Sequence, residues 1–162
     1  MNKVRNFCFA VIAILVLIVL VMTISVITKK PQPAIDFDAV SYNGTEFKLS
    51  DNFKKCGTVL IFIDPEIAGS NEVLSKLMAR KDKIDIIAVS VSKLPEAEQK
   101  KLLPSGYESL EKLCFEGSQA IEKYKIGNAP ITYFIDKEGY VRDVFPANVR
   151  EKTIDKLIEK LK

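Results

Sequence analysis

The sequence predicts one small α/β domain carried behind a hydrophobic N-terminal helix. Three observations predict it. Residues Phe7 to Ile27 are apolar apart from Thr23 and Ser25. Two continuous β-branched runs, Thr58–Ile63 and Ile84–Val91, flank a segment with helical apolar spacing. A hairpin pattern and an amphipathic helix close the chain, and 162 residues suit one domain plus an appendage.

The 21 residues from Phe7 to Ile27 would span about 30 Å as a helix, the thickness of a hydrocarbon core. A cleaved signal peptide is the alternative, but its apolar core usually runs ~7–15 residues and exits on small residues. Here the run is longer, and its exit Ser25-Val26-Ile27-Thr28 carries large branched side chains. No lipoprotein-type Cys follows, and Cys8 lies at the wrong end. Residues 1–28 therefore read as a transmembrane signal anchor, 29–33 as a stiff juxtamembrane spacer, and 34–162 as the domain. Lys3, Arg5 and the α-amine precede the helix, whereas Lys29 and Lys30 follow it. That slight bias, with the helix at the N-terminus, puts the domain on the extracytoplasmic side of a cell membrane.

Charge narrows the function. Lys3 and Arg5 are the only charges before Lys29, which leaves 22 basic and 21 acidic residues behind them. A near-neutral, well-mixed domain offers no footprint for nucleic acid. The chain has no histidine, which excludes imidazole metal sites and Ser-His-Asp chemistry. No metal and no cofactor are expected.

The elements follow in order. Ala34–Val40 reads as a short strand, Tyr42-Asn43-Gly44-Thr45 as a turn, and Glu46–Leu49 as the returning strand. Thr58–Ile63 has the composition of a strand buried on both faces, and Asp64-Pro65 stops it. Ser70 is a candidate cap for a helix to about Arg80, with Val73, Leu74, Leu77 and Met78 on one face. Ile84–Val91 is a second buried strand, which makes a βαβ unit. Pro95–Leu103 reads as a charged helix, Leu113–Phe115 as a short strand and Ser118–Tyr124 as a short helix. Ile131–Ile135 and Tyr140–Phe145 form a hairpin around Asp136-Lys137-Glu138-Gly139. The last helix is expected from Asn148, with Glu151 as capping-box partner and Ile154, Leu157, Ile158 and Leu161 facing the sheet.

Three stretches carry a resemblance. Asn43–Asp51 includes an opening hairpin and a Leu-Ser-Asp step. Gly57–Ile63 resembles a central strand that leads into an active site. Tyr124–Gly139 holds Ala129-Pro130 ahead of a strand ending Phe134-Ile135-Asp136. In this order they resemble the thioredoxin-like redoxin proteins, the group of membrane-tethered thiol-disulfide oxidoreductases and thiol-specific antioxidant peroxidases. The resemblance covers about Ala34–Leu161. It implies a thioredoxin-like fold: a central mixed sheet flanked by helices, with a cis-proline before a β-hairpin. It also implies a redox centre just after the central strand, where a Cys thiolate at a helix N-terminus is resolved by a second Cys three positions on.

This sequence departs from that pattern at the centre itself. The two Cys positions fall on Ile67 and Ser70, within Asp64-Pro65-Glu66-Ile67-Ala68-Gly69-Ser70. Isoleucine is no nucleophile and serine resolves no disulfide. No Cys lies between Gly57 and Leu113, so a shifted register supplies none. Cys56 and Cys114 are the remaining thiols of the domain. Cys56 precedes the central strand and Cys114 lies near the far end of a strand parallel to it, so about 20 Å of strand separates them, against the ~7 Å Cα limit of a disulfide. Both are expected unbonded. Asp64, Glu66 and Glu72 read as a solvated helix start rather than as a carboxylate site.

Two function classes stay open. The first is a membrane-anchored, non-catalytic module that binds an extended peptide or protein partner in a groove at Ala129, Pro130 and Ile131, facing Ile67 to Ser70. The second is a thiol-disulfide or peroxidase-like enzyme working through Cys114 or Cys56.

Overall fold

The computed structural model describes residues 31–53 and 56–161, together with Ile14 and Leu17 as isolated helical positions. The expected anchor, 7–27, otherwise lies outside the described residues, as does Cys8. Among the described residues, no helix is long and apolar enough to cross a membrane.

Strands β1 (Gln32–Pro33), β2 (Asp38–Val40) and β3 (Glu46–Lys48) open the unit that begins at Gln32. A 3-10 turn, Leu49–Asn52, leads to β4 (Thr58–Ile63), α1 (Ala68–Met78), β5 (Asp85–Ser90) and α2 (Glu96–Leu102). After a 3-10 turn at Tyr107–Ser109 come β6 (Lys112–Cys114), α3 (Ser118–Tyr124), β7 (Ile131–Ile135), β8 (Tyr140–Phe145) and α4 (Glu151–Lys160). The main sheet has the order β1-β8-β7-β4-β5-β6, and β2 with β3 form a separate ribbon. β4, β5 and β6 run parallel, while β7 is antiparallel to β4 and β8 to β7. This is the mixed sheet the sequence predicts.

The central position of β4 follows from its composition. All six residues are buried, because helices or loops cover both faces. Val59, Ile61 and Ile63 pack with Val73, Leu74 and Leu77 of α1 and with Ile154, Leu157 and Ile158 of α4. Leu60 and Phe62 point the other way, into Phe37, Leu49, Val89 and Ala120. The period-2 alternation of one strand thus feeds two cores.

Three expectations need correction. The first strand was expected over Ala34–Val40, but only Asp38–Val40 is extended and paired. Gln32-Pro33, expected within the spacer, instead pairs with Val141 and Tyr140 as an edge strand. Proline is tolerated there because an edge strand need not donate on both sides. Ser70 does not cap α1: Ile67 holds the cap position without a side-chain bond. Asn148 does not open the last helix, which starts at Glu151 with no side-chain cap. The Asn148 side chain is engaged elsewhere, its Oδ1 accepting from Lys76 Nζ at 2.9 Å.

Gly117, ahead of α3, is fixed by packing. A Cβ there would lie 2.0 Å from Val89 Cγ1. Gly117→Ala should therefore cost ~1–3 kcal/mol by overpacking. In urea unfolding, Gly117→Ala with Val89→Ala should be more stable than the two single costs added together. Strict additivity would show that the close approach carries no energy.

Candidate functional site

The C-terminal end of β4 is where the chain gathers its candidate residues. Asp64 and Pro65 end the strand because proline cannot donate to the ladder. The bend is then held by its own polar groups. Asp64 Oδ1 accepts the Glu66 N–H at 3.0 Å, and the Asp64 carbonyl accepts the Ile67 N–H at 2.9 Å. Ser70 Oγ accepts the Asp64 N–H at 3.1 Å. Helical side chains point back toward the helix N-terminus, which is how Ser70 reaches the loop it follows. Ser70 is 0% exposed, so its hydroxyl belongs to the scaffold. Ile67, by contrast, is 42% exposed at the tip, followed by exposed Ala68.

Asn71 completes the brace. Its Nδ2 donates to the Pro65 carbonyl at 3.0 Å and to the Leu102 carbonyl at 2.9 Å, tying the loop to the end of α2. Glu66 Oε2 accepts from Ser92 Oγ at 3.2 Å, and Glu72 pairs with Lys76 at 2.7 Å. Hydrogen bonds from the Lys76 and Asn148 side chains hold the Glu72 carboxyl below its ordinary value. The three carboxylates thus disperse into separate contacts. Among the described residues, no group of three or more Cys, Asp or Glu is gathered for a metal.

Sequence reasoning missed Asn71, Ser92 and Leu102 as parts of this site. A signal existed for Asn71 alone: asparagine disfavours a helix unless its amide finds backbone partners.

The Ala129-Pro130 peptide bond is cis, as expected. The β4–β7 ladder ends at the pair Phe62 and Ile131. Pro130 therefore stands one step further on, abreast of Ile63, and Ala129 lies beyond the ladder at the end where the 64–70 loop emerges. Pro130 is buried and Ala129 half-buried. The register thus brings residues 64–70 and 129–131 to one end of the sheet.

The cysteines are not brought to that site as a pair. Both Cys56 and Cys114 are free thiols. Cys114 aligns with Val89, which aligns with Phe62, whereas Cys56 lies two residues ahead of Thr58. Six strand steps, about 20 Å, and two strand spacings of ~4.8 Å separate them. Cys114 is 0% exposed, and burial pushes its thiol up to about 12. The nucleophilic form is the thiolate, so this thiol is inert at neutral pH.

No family model matches the chain, and no curated protein matches it. Solved structures do. A thiol:disulfide interchange protein of the thioredoxin family from Chlorobium tepidum matches with a TM-score of 0.64 at 15% identity, over 82% of this chain and 97% of that one. The pneumococcal exposed lipoprotein thioredoxin Etrx1 from Streptococcus pneumoniae matches with a TM-score of 0.61 at 20% identity, over 78% and 100%. StoA from Bacillus subtilis matches with a TM-score of 0.59 at 12% identity, over 78% and 98%. The fold is therefore thioredoxin-like, of the type used by thiol:disulfide interchange proteins.

Proposed function

We propose that this chain is a membrane-anchored docking module that uses a thiol:disulfide-interchange fold without the thiol chemistry. One observation carries the reading. Where the resembling proteins would hold a nucleophilic and a resolving thiol, this chain has an exposed Ile67 and a fully buried Ser70 whose hydroxyl is bound to the Asp64 N–H. A tip of Ile67, Ala68 and Gly69 offers apolar contact and no leaving or attacking group. An extended segment of a partner would lie between this tip and Pro130 and pair with the free backbone of Ala129. The apolar run Phe7–Ile27 supports an uncleaved anchor, and the charges around it support an extracytoplasmic domain.

The test is an insulin-reduction and peroxide-consumption assay on the full chain, recovered from the membrane fraction in detergent. The expected result is no turnover above the buffer rate. Turnover that Cys114→Ser abolishes would overturn the docking reading in favour of an enzyme. A mature soluble chain beginning near Lys29 would remove the anchor.

A further inference from the structure

A second edge of the domain is open to a strand. The Tyr42 N–H donates to the Leu113 carbonyl at 2.7 Å, which joins the β2–β3 ribbon to β6. Pairing inside the ribbon fixes where the backbone of β2 points. The Leu49 N–H donates to Phe37 O at 3.0 Å and the Ser41 N–H to Thr45 O at 2.9 Å. Residues 37, 39 and 41 therefore turn toward β3, and antiparallel alternation turns Asp38, Val40 and Tyr42 outward. The Asp38 N–H is taken by Gln119 Oε1 at 2.8 Å, and that of Tyr42 by Leu113. Val40, between them, has no backbone partner among the described residues, and it is 53% exposed.

This edge borders a groove of about 410 Å³. Asp38, Val40 and Tyr42 line it on the ribbon side, and Glu96, Phe115 and Glu116 line it elsewhere. Its volume lies within the roughly 300–1,000 Å³ of ligand clefts. Three of these side chains are carboxylates. The cation beside them, Lys100, is already committed: it pairs with Glu96, and its Nζ lies 5.5 Å from the Tyr42 ring centroid and 5.7 Å from that of Phe115. The groove thus already accommodates one ammonium group over aromatic faces and keeps Asp38 and Glu116 for others.

We propose that this groove receives an extended cationic segment of a partner protein, added as a strand on β2. Its Lys or Arg side chains would meet Asp38 and Glu116, and alternate apolar side chains would meet Val40 and Phe115. The site is separate from the 64–70 tip in residues and in chemistry.

The probe is a fluorescein-labelled Lys-Val-Lys-Val-Lys-Val-Lys peptide, titrated by anisotropy onto the full chain in non-ionic detergent. The same peptide with Glu for Lys is the control. The Lys peptide should bind, weaken with salt, and slow hydrogen exchange at the Val40 amide. Glu116→Lys and Val40→Pro should each weaken it roughly tenfold. Ile67→Asp should leave it unchanged, which separates this surface from the docking tip. If Val40→Pro does not fold, Glu116→Lys and the exchange measurement decide. No binding by about 1 mM peptide would overturn the proposal. So would equal binding of the Glu peptide, unchanged exchange at Val40, indifference to Glu116→Lys, or sensitivity to Ile67→Asp.

Discussion

Replacing Ile67 and Ser70 together by cysteine should give a chain that reduces insulin. The backbone for the reaction is in place. Residues three apart at a helix start lie about 5–6 Å from each other, inside the Cα range of a disulfide. Ile67 caps α1 with no side-chain bond of its own, and no acidic side chain stands in the first turn. The helix dipole and free N–H groups there would favour a thiolate. Pro130, abreast of Ile63, supplies the wall against which an extended substrate is held. The double variant should exceed its parent by roughly tenfold or more. Ile67→Cys alone should instead accumulate mixed disulfides, because nothing resolves them. Loss of the Ser70 Oγ bond to Asp64 would cost ~1 kcal/mol, too little to unfold the domain. A folded double variant with no activity would mean that more than two side chains separate this loop from a redox centre.

The second large effect is at Cys114. Burial pushes this thiol up to about 12, from an ordinary 9.0. A folded-state value above the unfolded one means that the native state holds its proton longer. Stability from this group is complete below about pH 9 and is lost as pH rises toward 12, by ~4 kcal/mol in all. Burial also raises Tyr124, which steepens the loss at the alkaline end. In a Cys8→Ser background, an aromatic disulfide reagent at pH 8 should label Cys56 in the folded chain and Cys114 only in denaturant. Cys114→Val should flatten the stability curve between pH 9 and 12. Labelling of Cys114 in the native chain, or an unchanged curve, would show that the thiol is reachable.

Much of the fold was legible because one principle dominated each segment. Thr58–Ile63, Ser118–Tyr124, Ile131–Ile135 and Tyr140–Phe145 appear at the predicted residues. In the three strands, period and β-branching point to the same answer. Where two principles competed, the sequence misled. Pro33 reads as spacer until β8 offers an edge. Ser70 reads as a cap until Asp64 claims its hydroxyl. Asn148 reads as a cap until Lys76 reaches it from α1. Each of these depends on a partner six or more positions away, which local spacing cannot supply. The candidate site was legible as an absence, two missing thiols. Its brace was not, because Asn71 bonds to Leu102, 31 positions away.

The edge strand β1 also sets how the domain would carry a load. Tension arriving along the chain at Pro31 meets Gln32 against Val141 first, then Pro33 against Tyr140, then the Ala34 N–H on the Gly139 carbonyl. Such contacts peel one after another, like a zipper, rather than shearing together. The far end of β4, with the 64–70 loop, lies about 20 Å of strand away from that pulling point. A tug would therefore strip a short hem from β8 while leaving the pairing of β4 with β5 and β7 untouched. Gln32 and Pro33 act as a mechanical fuse between whatever holds the chain and the surface it presents.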